Sequence, residues 1–375
     1  MLTIRNIELT ELHLPLVEPF QISSGIQRVR QVLLVRVEDA EGLSGWGECV
    51  AGESPNYSPE TVGTAWHMIE KWIAPRLIGA ELEEPGQVRP LLEKDFRGHH
   101  MAKAGVEMAC WALFAEARGL ALARLLGGVR EKVEVGISIG IQPTPERLVE
   151  KVALALQEGY RKIKAKIMPG ADLRYVEAVR RELGDGVPLM VDANNAYTLD
   201  DLDTLKELDQ YGLVMIEQPL AWDDLVRHRE LQKQLRTPIC LDESITSLER
   251  VQDMVTLGAG RIVNIKPGRV GGHASSRLIH DFCASQEIPV WCGGMLESGI
   301  GRAHNVALAS LQNFRLPGDI SPSSRYWKRD IVRPQWTTDG QGRISVPFDR
   351  PGLGVEIDHE FVDSLTRRRL LLENS

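Results

Sequence analysis

Five short segments between residues 162 and 268 decide the fold: KIKAKIMPG (162–170), LMVDANNAY (189–197), VMIEQPL (214–220), ICLDES (239–244) and IVNIKPG (262–268). Each segment is an apolar run followed by a charged residue. The charged residues recur at intervals of 24 to 26 residues, a little under the roughly 30 residues of a complete βαβ unit. A repeated strand–helix unit whose charged residue always closes the strand predicts a (β/α)8 barrel, with an active site at the C-terminal ends of its strands.

The residues before these repeats predict a second structural unit. At 375 residues the chain is longer than the roughly 250 residues of a plain barrel. Residues 1–50 alternate between apolar and polar, which predicts an antiparallel meander, and residues 58–126 have helical spacing. Two polar segments, 18–25 and 50–61, are predicted to be loops, and loops of this kind often carry function.

We therefore predict an α/β fold with three parts. Residues 1–126 form an α+β capping domain with substrate-covering loops, and residues 127–325 form a (β/α)8-type barrel that carries the active site. Residues 326–375 complete the capping domain or one end of the barrel. Within the barrel, the eighth strand has the weakest pattern, near RLPGDIS (315–321).

Composition argues against several classes of protein. The formal net charge of −8 disfavours binding to nucleic acid or to an anionic membrane surface. No apolar run approaches the roughly 20 residues needed to span a bilayer, and the first residues lack a signal-peptide pattern. The five cysteines are scattered without a CxxC motif, which is typical of core thiols in a reducing compartment. We expect a cytoplasmic protein that acts on a small molecule.

Three carboxylates close consecutive strands of the predicted barrel, namely Asp192, Glu217 and Asp242. Together they offer only hard oxygen ligands, which suit Mg²⁺, with Mn²⁺ as an alternative, and do not suit Zn²⁺. No histidine occupies a matching strand end. Any one of these carboxylates alone is explained as well by capping of the following helix. Three of them in consecutive repeats, flanked by lysines, favour a metal site.

Three lysines flank these carboxylates. Lys164 and Lys166 lie two residues apart on the second strand, so both side chains face the mouth of the barrel. Lys266 lies four strands further round and approaches from the opposite side. A lysine pKa of about 10.4 is too high for a base near neutrality, but neighbouring positive charge lowers it. Lys166 is nearer the strand end and is the candidate base, with Lys164 below it lowering its pKa.

A metal that binds a substrate carboxylate beside an amine base favours one reaction step. The base removes the proton on the carbon α to the carboxylate, and the metal stabilises the resulting enediolate. The predicted substrate is therefore a small-molecule carboxylate.

Several motifs carry a close resemblance to a known family: KAKIMPG, VDANNAY, IEQPL, LDES, NIKPGRVGG, GGMLESGIGRAHN and PGDISPSSRYW. With them the chain resembles the muconate-lactonising subgroup of the enolase superfamily. Within that subgroup it is most similar to the o-succinylbenzoate synthase / N-acylamino acid racemase family, and the likeness runs over nearly the whole chain. A lysine base paired with Mg²⁺ is this superfamily's own arrangement.

The resemblance implies a role for each matched position in the barrel mouth. The positions are the acid–base pair Lys166 and Lys266, the supporting Lys164, the metal ligands Asp192, Glu217 and Asp242, and Asn194 and Glu243, which support the ligands. It also implies contacts between the substrate and Phe20, Ser23, Tyr57, Ser138, Arg269, Gly293, Gly294 and Met295.

Two of these implied contacts have alternative explanations. Arg269 is explained equally well as an ordinary loop arginine. The segment GGMLESGIGR (293–302) opens a helix, and helix N-termini bind anions. A phosphorylated substrate is therefore an alternative to an acyl group or distal carboxylate at Gly293, Gly294 and Met295.

The activity implied first is that of a Mg²⁺-dependent o-succinylbenzoate synthase of menaquinone biosynthesis. N-acylamino acid racemisation is second, either at the same site or as the sole activity. Another activity of the subgroup, such as muconate cycloisomerisation, and a catalytically silent binding barrel are further alternatives. The segment DIS (319–321) lacks the second aspartate of the DxD motif of dipeptide epimerases, because Ser321 stands there. The family also leads us to expect a homo-oligomer.

Overall fold

A long antiparallel hairpin forms the first part of the chain. In the computed structural model, which describes residues 1–373, strand Leu2–Ile22 pairs with Gly25–Asp39, and Ser44–Cys49 joins them. The predicted meander is confirmed. The prediction of a loop at 18–25 is wrong, because the strands continue to a two-residue turn at Ser23 and Ser24. The pairing register only shifts between Pro15 and Phe20, in a proline-containing stretch that cannot donate every ladder hydrogen bond.

The C-terminal segment contacts both the N-terminal sheet and the start of the barrel, which are the two alternatives predicted for it. Strand Thr366–Glu373 pairs antiparallel with Leu2–Ile22 and extends the N-terminal sheet. Strand Arg343–Ser345 pairs instead with Lys132–Glu134, just before the first barrel strand. The remaining elements of this segment are Val332–Arg333, Glu356–Ile357 and the helix His359–Leu365.

One buried helix packs across the N-terminal sheet. Helix His100–Ala117 is buried from Met101 to Ala115 and lies against strand Ser44–Cys49. A Cβ atom on Gly47 would lie 2.1 Å from the Gly105 carbonyl oxygen, so this close approach requires glycine in the strand. The other helices and the short strand of this unit are Val62–Met68, the π-helix Ile69–Ile73, Ala74–Leu77, Glu81–Leu82, Val88–Glu93 and Leu122–Leu126.

Within residues 1–373, seven parallel strands form the barrel sheet, each hydrogen-bonded to its neighbours in chain order. They are Ile137–Ile139, Ile163–Lys166, Leu189–Asp192, Ile216–Glu217, Ile239–Leu241, Ile262–Ile265 and Val290–Cys292. The strands are buried on both faces, as parallel sheets require. The predicted barrel fold is confirmed, and the C-terminal ends of the strands meet at one mouth.

An irregular segment takes the place of the predicted eighth strand. The Asp319 amide donates to the Cys292 carbonyl at 2.8 Å, and the Gly136 amide donates to the Gly318 carbonyl at 2.7 Å. The segment therefore connects the last strand to the first and closes the barrel. Its Leu–Pro–Gly sequence explains the lack of a regular ladder, because Pro317 has no amide donor.

Helices follow the strands on the outside of the barrel. They are Pro145–Gln157, Leu173–Leu183, Leu202–Leu208, Leu225–Gln232, Leu248–Leu257, Pro267–Val270, His273–Ser285 and Gly299–Ala309. Among residues 1–373, none of the helices has the length and apolar character needed to cross a bilayer.

A buried carboxylate joins the N-terminal unit to the barrel. Glu107 accepts hydrogen bonds from the backbone amides of His273 at 2.7 Å and Ala274 at 2.9 Å, at the start of a barrel helix. It also accepts one from the Trp111 indole at 2.6 Å. Gly272 leaves the space for this contact, because a Cβ atom there would lie 2.1 Å from the carboxylate. Burial raises the pKa of Glu107 to about 7, outweighing the hydrogen bonds that favour the charged form.

The raised pKa of Glu107 predicts how stability depends on pH. Because the ordinary value is 4.5, the folded protein keeps this proton where the unfolded chain has lost it. The stabilisation is complete below about pH 4.5 and is lost as the pH rises through about 7. Glu107→Gln cannot titrate. As the pH rises from about 4.5 to about 7, the wild type loses this stabilisation and the variant does not. The free energy of unfolding of the variant, measured by urea denaturation, should therefore increase relative to that of the wild type over this pH range. A constant difference would contradict the assignment.

Candidate active site

Three buried carboxylates meet at the mouth of the barrel. Asp192 and Glu217 end the third and fourth strands, and Asp242 directly follows the fifth. All three side chains are fully buried, and one oxygen of each lies within 4.8 Å of the others. Asn194 and Gln218, just after two of these strands, have positive φ angles of 43° and 37°. Such strained backbone is typical of functional sites.

These carboxylates fit the divalent cation expected from the sequence. Among residues 1–373 they form the one cluster of three or more acidic, histidine or cysteine side chains with metal-binding spacing. Burial, followed by the charge of Asp192, raises the pKa of Glu217. A cluster whose members repel one another this closely needs compensating positive charge. Carboxylate oxygens alone are the donors that Mg²⁺ prefers, so the donor set agrees with the ion.

Two lysines contact this carboxylate cluster from opposite sides of the barrel. The Nζ atom of Lys166, on the second strand, lies 2.5 Å from Asp192 Oδ2 and 2.8 Å from Asn194 Oδ1. The Nζ atom of Lys266, after the sixth strand, lies 2.7 Å from Asp242 Oδ2. The two amines therefore contact different carboxylates of the cluster, from the second strand and from the end of the sixth.

Lys164 lies deeper than Lys166 and contacts more carboxylates. Its Nζ atom is 2.6 Å from Asp319, 3.0 Å from Glu217 and 3.2 Å from Asp192. Burial alone would lower the pKa of Lys164, but these three carboxylates raise it well above its ordinary value. Lys164 is therefore a permanent positive charge beneath Lys166.

The two reacting lysines differ in their affinity for a proton. Burial lowers the pKa of Lys166, and the charge of Lys164 lowers it further against the opposing effect of Asp192. Burial would also lower the pKa of Lys266, but Tyr57 and Glu243 outweigh it and raise the value. The pKa values of these two lysines are therefore shifted in opposite directions.

Asn194 and Glu243 lie beside the cluster, where the sequence analysis expected supporting residues. The Asn194 amide donates to Asp192 Oδ1 at 3.0 Å, and its side chain donates to Glu243 Oε1 at 3.0 Å. Asn195 adds a second donor to the same Glu243 oxygen at 3.1 Å. These bonds orient one carboxylate of the cluster and hold Glu243 close to it.

Three further polar residues were missed from the sequence. Asn264 donates to Glu217 Oε1 at 2.8 Å, and Gln218 Oε1 accepts from the Asp242 amide at 3.0 Å. Asp319 contacts Lys164, as described above. A signal existed for Asn264, because it lies two residues before Lys266 and therefore faces the same way. Asp319 belongs to the segment of weakest strand pattern.

A cavity of about 650 Å³ opens above the cluster. Of the residues expected to contact the substrate, Phe20, Tyr57, Gly294 and Met295 line it, together with Lys166, Lys266 and Asn194. Ser23, Ser138, Arg269 and Gly293 are not part of its lining. Ser23 lies behind the wall, where its hydroxyl donates to the Asn194 carbonyl at 3.1 Å. The Ser138 hydroxyl is buried without a hydrogen-bond partner among residues 1–373.

The loop 50–61 closes onto the site through Tyr57. The Tyr57 hydroxyl donates to Asp242 Oδ1 at 2.9 Å and accepts from Lys266 Nζ at 3.1 Å. Arg269 is buried beside it and pairs with Asp242, and its Nη1 atom lies 3.2 Å from the same hydroxyl. The N-terminal unit therefore contributes a side chain to the centre of the barrel mouth.

A parallel barrel whose mouth holds three buried carboxylates and two lysines is typical of an enzyme that acts on small molecules. Residues 5–127 match the N-terminal domain of mandelate racemase / muconate lactonizing enzymes, and residues 147–361 match the enolase C-terminal domain-like family. The chain belongs to the enolase superfamily, in the family that contains o-succinylbenzoate synthases and N-succinylamino acid racemases.

Relatives with both names match almost the whole chain. An o-succinylbenzoate synthase from Geobacillus stearothermophilus is 48% identical, over 98% of this chain and 96% of its own. An N-succinylamino acid racemase from an Amycolatopsis species is also 48% identical, over 97% of this chain and 98% of its own. A crystal structure of an enolase-superfamily member from Listeria innocua is 40% identical, covers 100% of both chains and superimposes with a TM-score of 0.95.

Substitution of a metal ligand should weaken metal binding more than substitution of a residue that orients a ligand. We expect Glu217→Gln to weaken Mg²⁺ binding by more than about a hundred-fold, and Asn264→Ala by only about ten-fold, because Asn264 orients one oxygen of a ligand. Isothermal titration of the purified variants measures both. Asp358→Asn is the control, because Asp358 is a buried carboxylate that caps the distant helix His359–Leu365. Unchanged affinity in Glu217→Gln would contradict the metal site.

Proposed function

We propose that this protein is an o-succinylbenzoate synthase that also racemises N-succinylamino acids. The synthase reaction dehydrates a cyclohexadiene hydroxy-acid precursor in menaquinone biosynthesis. The observation that carries the proposal is the pair of lysines, Lys166 and Lys266, on opposite sides of one buried carboxylate cluster. Relatives that bear each of the two names, at equal identity, support it.

In the dehydration, Lys166 acts first. Its amine accepts, in the neutral form, the proton from the carbon α to the substrate carboxylate, and burial and Lys164 lower its pKa toward that of a base. Asp192, Glu217 and Asp242 would hold a divalent cation, which would supply positive charge for the substrate carboxylate. The β-hydroxyl then leaves as water after taking the proton that Lys166 carries, which returns this amine to its neutral form. The new double bond completes the aromatic ring.

Lys266 has a different part in this reaction. Its pKa is raised, so it stays a cation and stabilises the anionic intermediate across the site from Lys166. Tyr57 and Asp242 hold its Nζ atom at 3.1 Å and 2.7 Å. The loop 50–61 that carries Tyr57 also excludes water from the amine.

Racemisation uses the same groups with one change. One lysine removes the α-proton from one face of an N-succinylamino acid, and the other returns a proton to the opposite face. The unequal pKa shifts of the two lysines match this need for one base and one acid. A dedicated N-acylamino acid racemase is therefore the second candidate, and its specific support is the relative named N-succinylamino acid racemase at 48% identity.

Paired assays with Mg²⁺ separate these candidates. One assay follows formation of o-succinylbenzoate from its hydroxy-acid precursor, and the other follows the optical rotation of N-succinyl and N-acetyl amino acids. We expect fast dehydration together with measurable racemisation. Racemisation without dehydration would establish the second candidate. No turnover in either assay, with metal bound, would refute the proposal and redirect attention to other acids used in the muconate-lactonising subgroup.

Removing either reacting lysine should abolish turnover and spare metal binding. We expect Lys166→Ala and Lys266→Ala each to lower kcat by at least about a thousand-fold, since each removes a general acid or base. Steady-state kinetics and Mg²⁺ titration measure the two effects separately.

Lys162→Met is the matched control for these two variants. Lys162 directly precedes the strand that carries Lys166 and is buried, and its Nζ atom lies 3.3 Å from the Trp291 ring centre and 3.3 Å from Asp319 Oδ1. We expect this variant to keep its activity within about ten-fold, because a buried contact with Trp291 and Asp319 is lost but no reacting group is removed. Equal losses in all three variants would contradict the assigned roles.

A further inference from the structure

Glu48 is a buried carboxylate that the mechanism does not use. It lies in strand Ser44–Cys49 of the N-terminal sheet and is fully buried. Its Oε2 atom accepts hydrogen bonds from the Ser298 hydroxyl at 2.6 Å, the Ser298 amide at 3.0 Å and the Gly301 amide at 3.2 Å. These donors lie about 250 residues away, at the start of the helix after the seventh barrel strand. A Cβ atom on Gly301 would lie 2.8 Å from the same oxygen.

Arg30 fixes the loop on the other side of the cavity. Its guanidinium is buried and donates to the Val50 carbonyl at 2.7 Å and the Ala51 carbonyl at 2.9 Å. These two carbonyls begin the loop 50–61, which carries Tyr57. The loop starts directly after strand Ser44–Cys49, so the hydrogen bonds of Glu48 to the barrel and those of Arg30 to Val50 and Ala51 meet where this loop begins.

The segment 293–298 connects Ser298, which Glu48 binds, to the wall of the cavity. The Glu297 carboxylate accepts from the Met295 amide at 2.8 Å, and Arg302 donates to the Glu297 carbonyl at 2.9 Å. Met295 lines the cavity, and its sulfur lies 3.6 Å from Lys266 Nζ. The wall between Gly294 and Leu296 is therefore one short turn from the residues that Glu48 binds.

We propose that Glu48 and Arg30 are positioning residues that clamp the segment 293–298 to the loop 50–61 and so set the shape of the pocket for the acyl part of the substrate. The inference rests on the proposed function for the identity of that substrate. It assigns the N-terminal sheet a part in substrate selection in addition to covering the barrel.

Helix capping alone does not account for Glu48. The first amide of the helix Gly299–Ala309 already donates to Asp330 at 2.8 Å, and the Ile300 amide donates to the Ser298 hydroxyl at 3.3 Å. The helix start therefore has caps from its own side of the molecule. The additional carboxylate from the sheet ties this helix start to the N-terminal unit, at the point where the pocket wall begins.

Glu48→Gln tests the clamp, because it keeps the shape but places an amide donor among backbone donors. We expect KM for an N-succinylamino acid to rise about ten-fold, with kcat within about three-fold, since a charge-assisted hydrogen bond is lost and no reacting group is touched. KM for the shorter N-acetyl substrate should change less. Amide hydrogen exchange of the Mg²⁺-loaded enzyme should accelerate in residues 293–301 and in 50–61.

Two further variants keep the test decisive. Ser298→Ala removes the 2.6 Å bond from the barrel side and should shift KM in the same direction by a smaller factor, even if Glu48→Gln folds poorly. Asp358→Asn is the control, because Asp358 also caps a helix and pairs with arginines but lies outside the cavity lining. It should accelerate exchange only in its own helix and leave KM unchanged.

The outcomes separate the clamp from the proposed function. Suppose that the wild type has neither activity but that Glu48→Gln still accelerates amide exchange in residues 293–301. This outcome would support the clamp and overturn the proposed function. Unchanged KM and unchanged exchange in Glu48→Gln and Ser298→Ala would overturn the clamp. An equal loss of kcat in Glu48→Gln and Asp358→Asn, with KM constant in both, would also overturn the clamp. Glu48 would then contribute only to general stability.

Discussion

Mutual repulsion among three buried carboxylates is the constraint on which the rest of the site depends. Asp192, Glu217 and Asp242 present oxygens within 4.8 Å of one another, out of contact with solvent. Buried charge of one sign is stable only beside charge of the other sign. A divalent cation at the centre would supply it, and lysines supply it from two sides. The charges that make the cluster stable are therefore also those that set the proton affinities of Lys166 and Lys266.

The N-terminal unit is tied to the barrel by polar contacts at the loops that carry chemistry. Glu107 binds the start of the helix after Lys266, and Glu48 binds the start of the helix after the segment 293–298. Tyr57 reaches the cluster itself. Carboxylates that accept backbone amides at helix starts are directional, so these contacts fix the orientation of the loops as well as the contact between the two units. The pocket is consequently shared by both parts of the chain.

Much of the barrel and its mouth could be predicted from spacing alone. Charged residues at intervals of 24 to 26 residues meet because the C-terminal ends of parallel strands converge on one face. The errors fall where local pattern conflicts with pairing. Pro19 and the polar residues of 18–25 suggested a loop, yet the long hairpin continues through them. Near Pro317 and Gly318 the barrel closes through irregular backbone. Hydrogen bonds between the last and the first strand are completed here although the local sequence has a low strand propensity.

The sequence by itself determined that the carboxylates and lysines lie at the ends of consecutive strands, on one face of the barrel, because strand periodicity and repeat length are local properties. Only the tertiary structure decided how these side chains are paired. The contact of Tyr57 with Asp242 spans 185 residues, and that of Glu48 with Ser298 spans 250. No periodicity encodes such contacts, since they arise when separately folded elements pack together. The same packing buries both lysines, which lowers their pKa values, and it brings Tyr57 and Glu243 beside Lys266, where they raise its pKa instead.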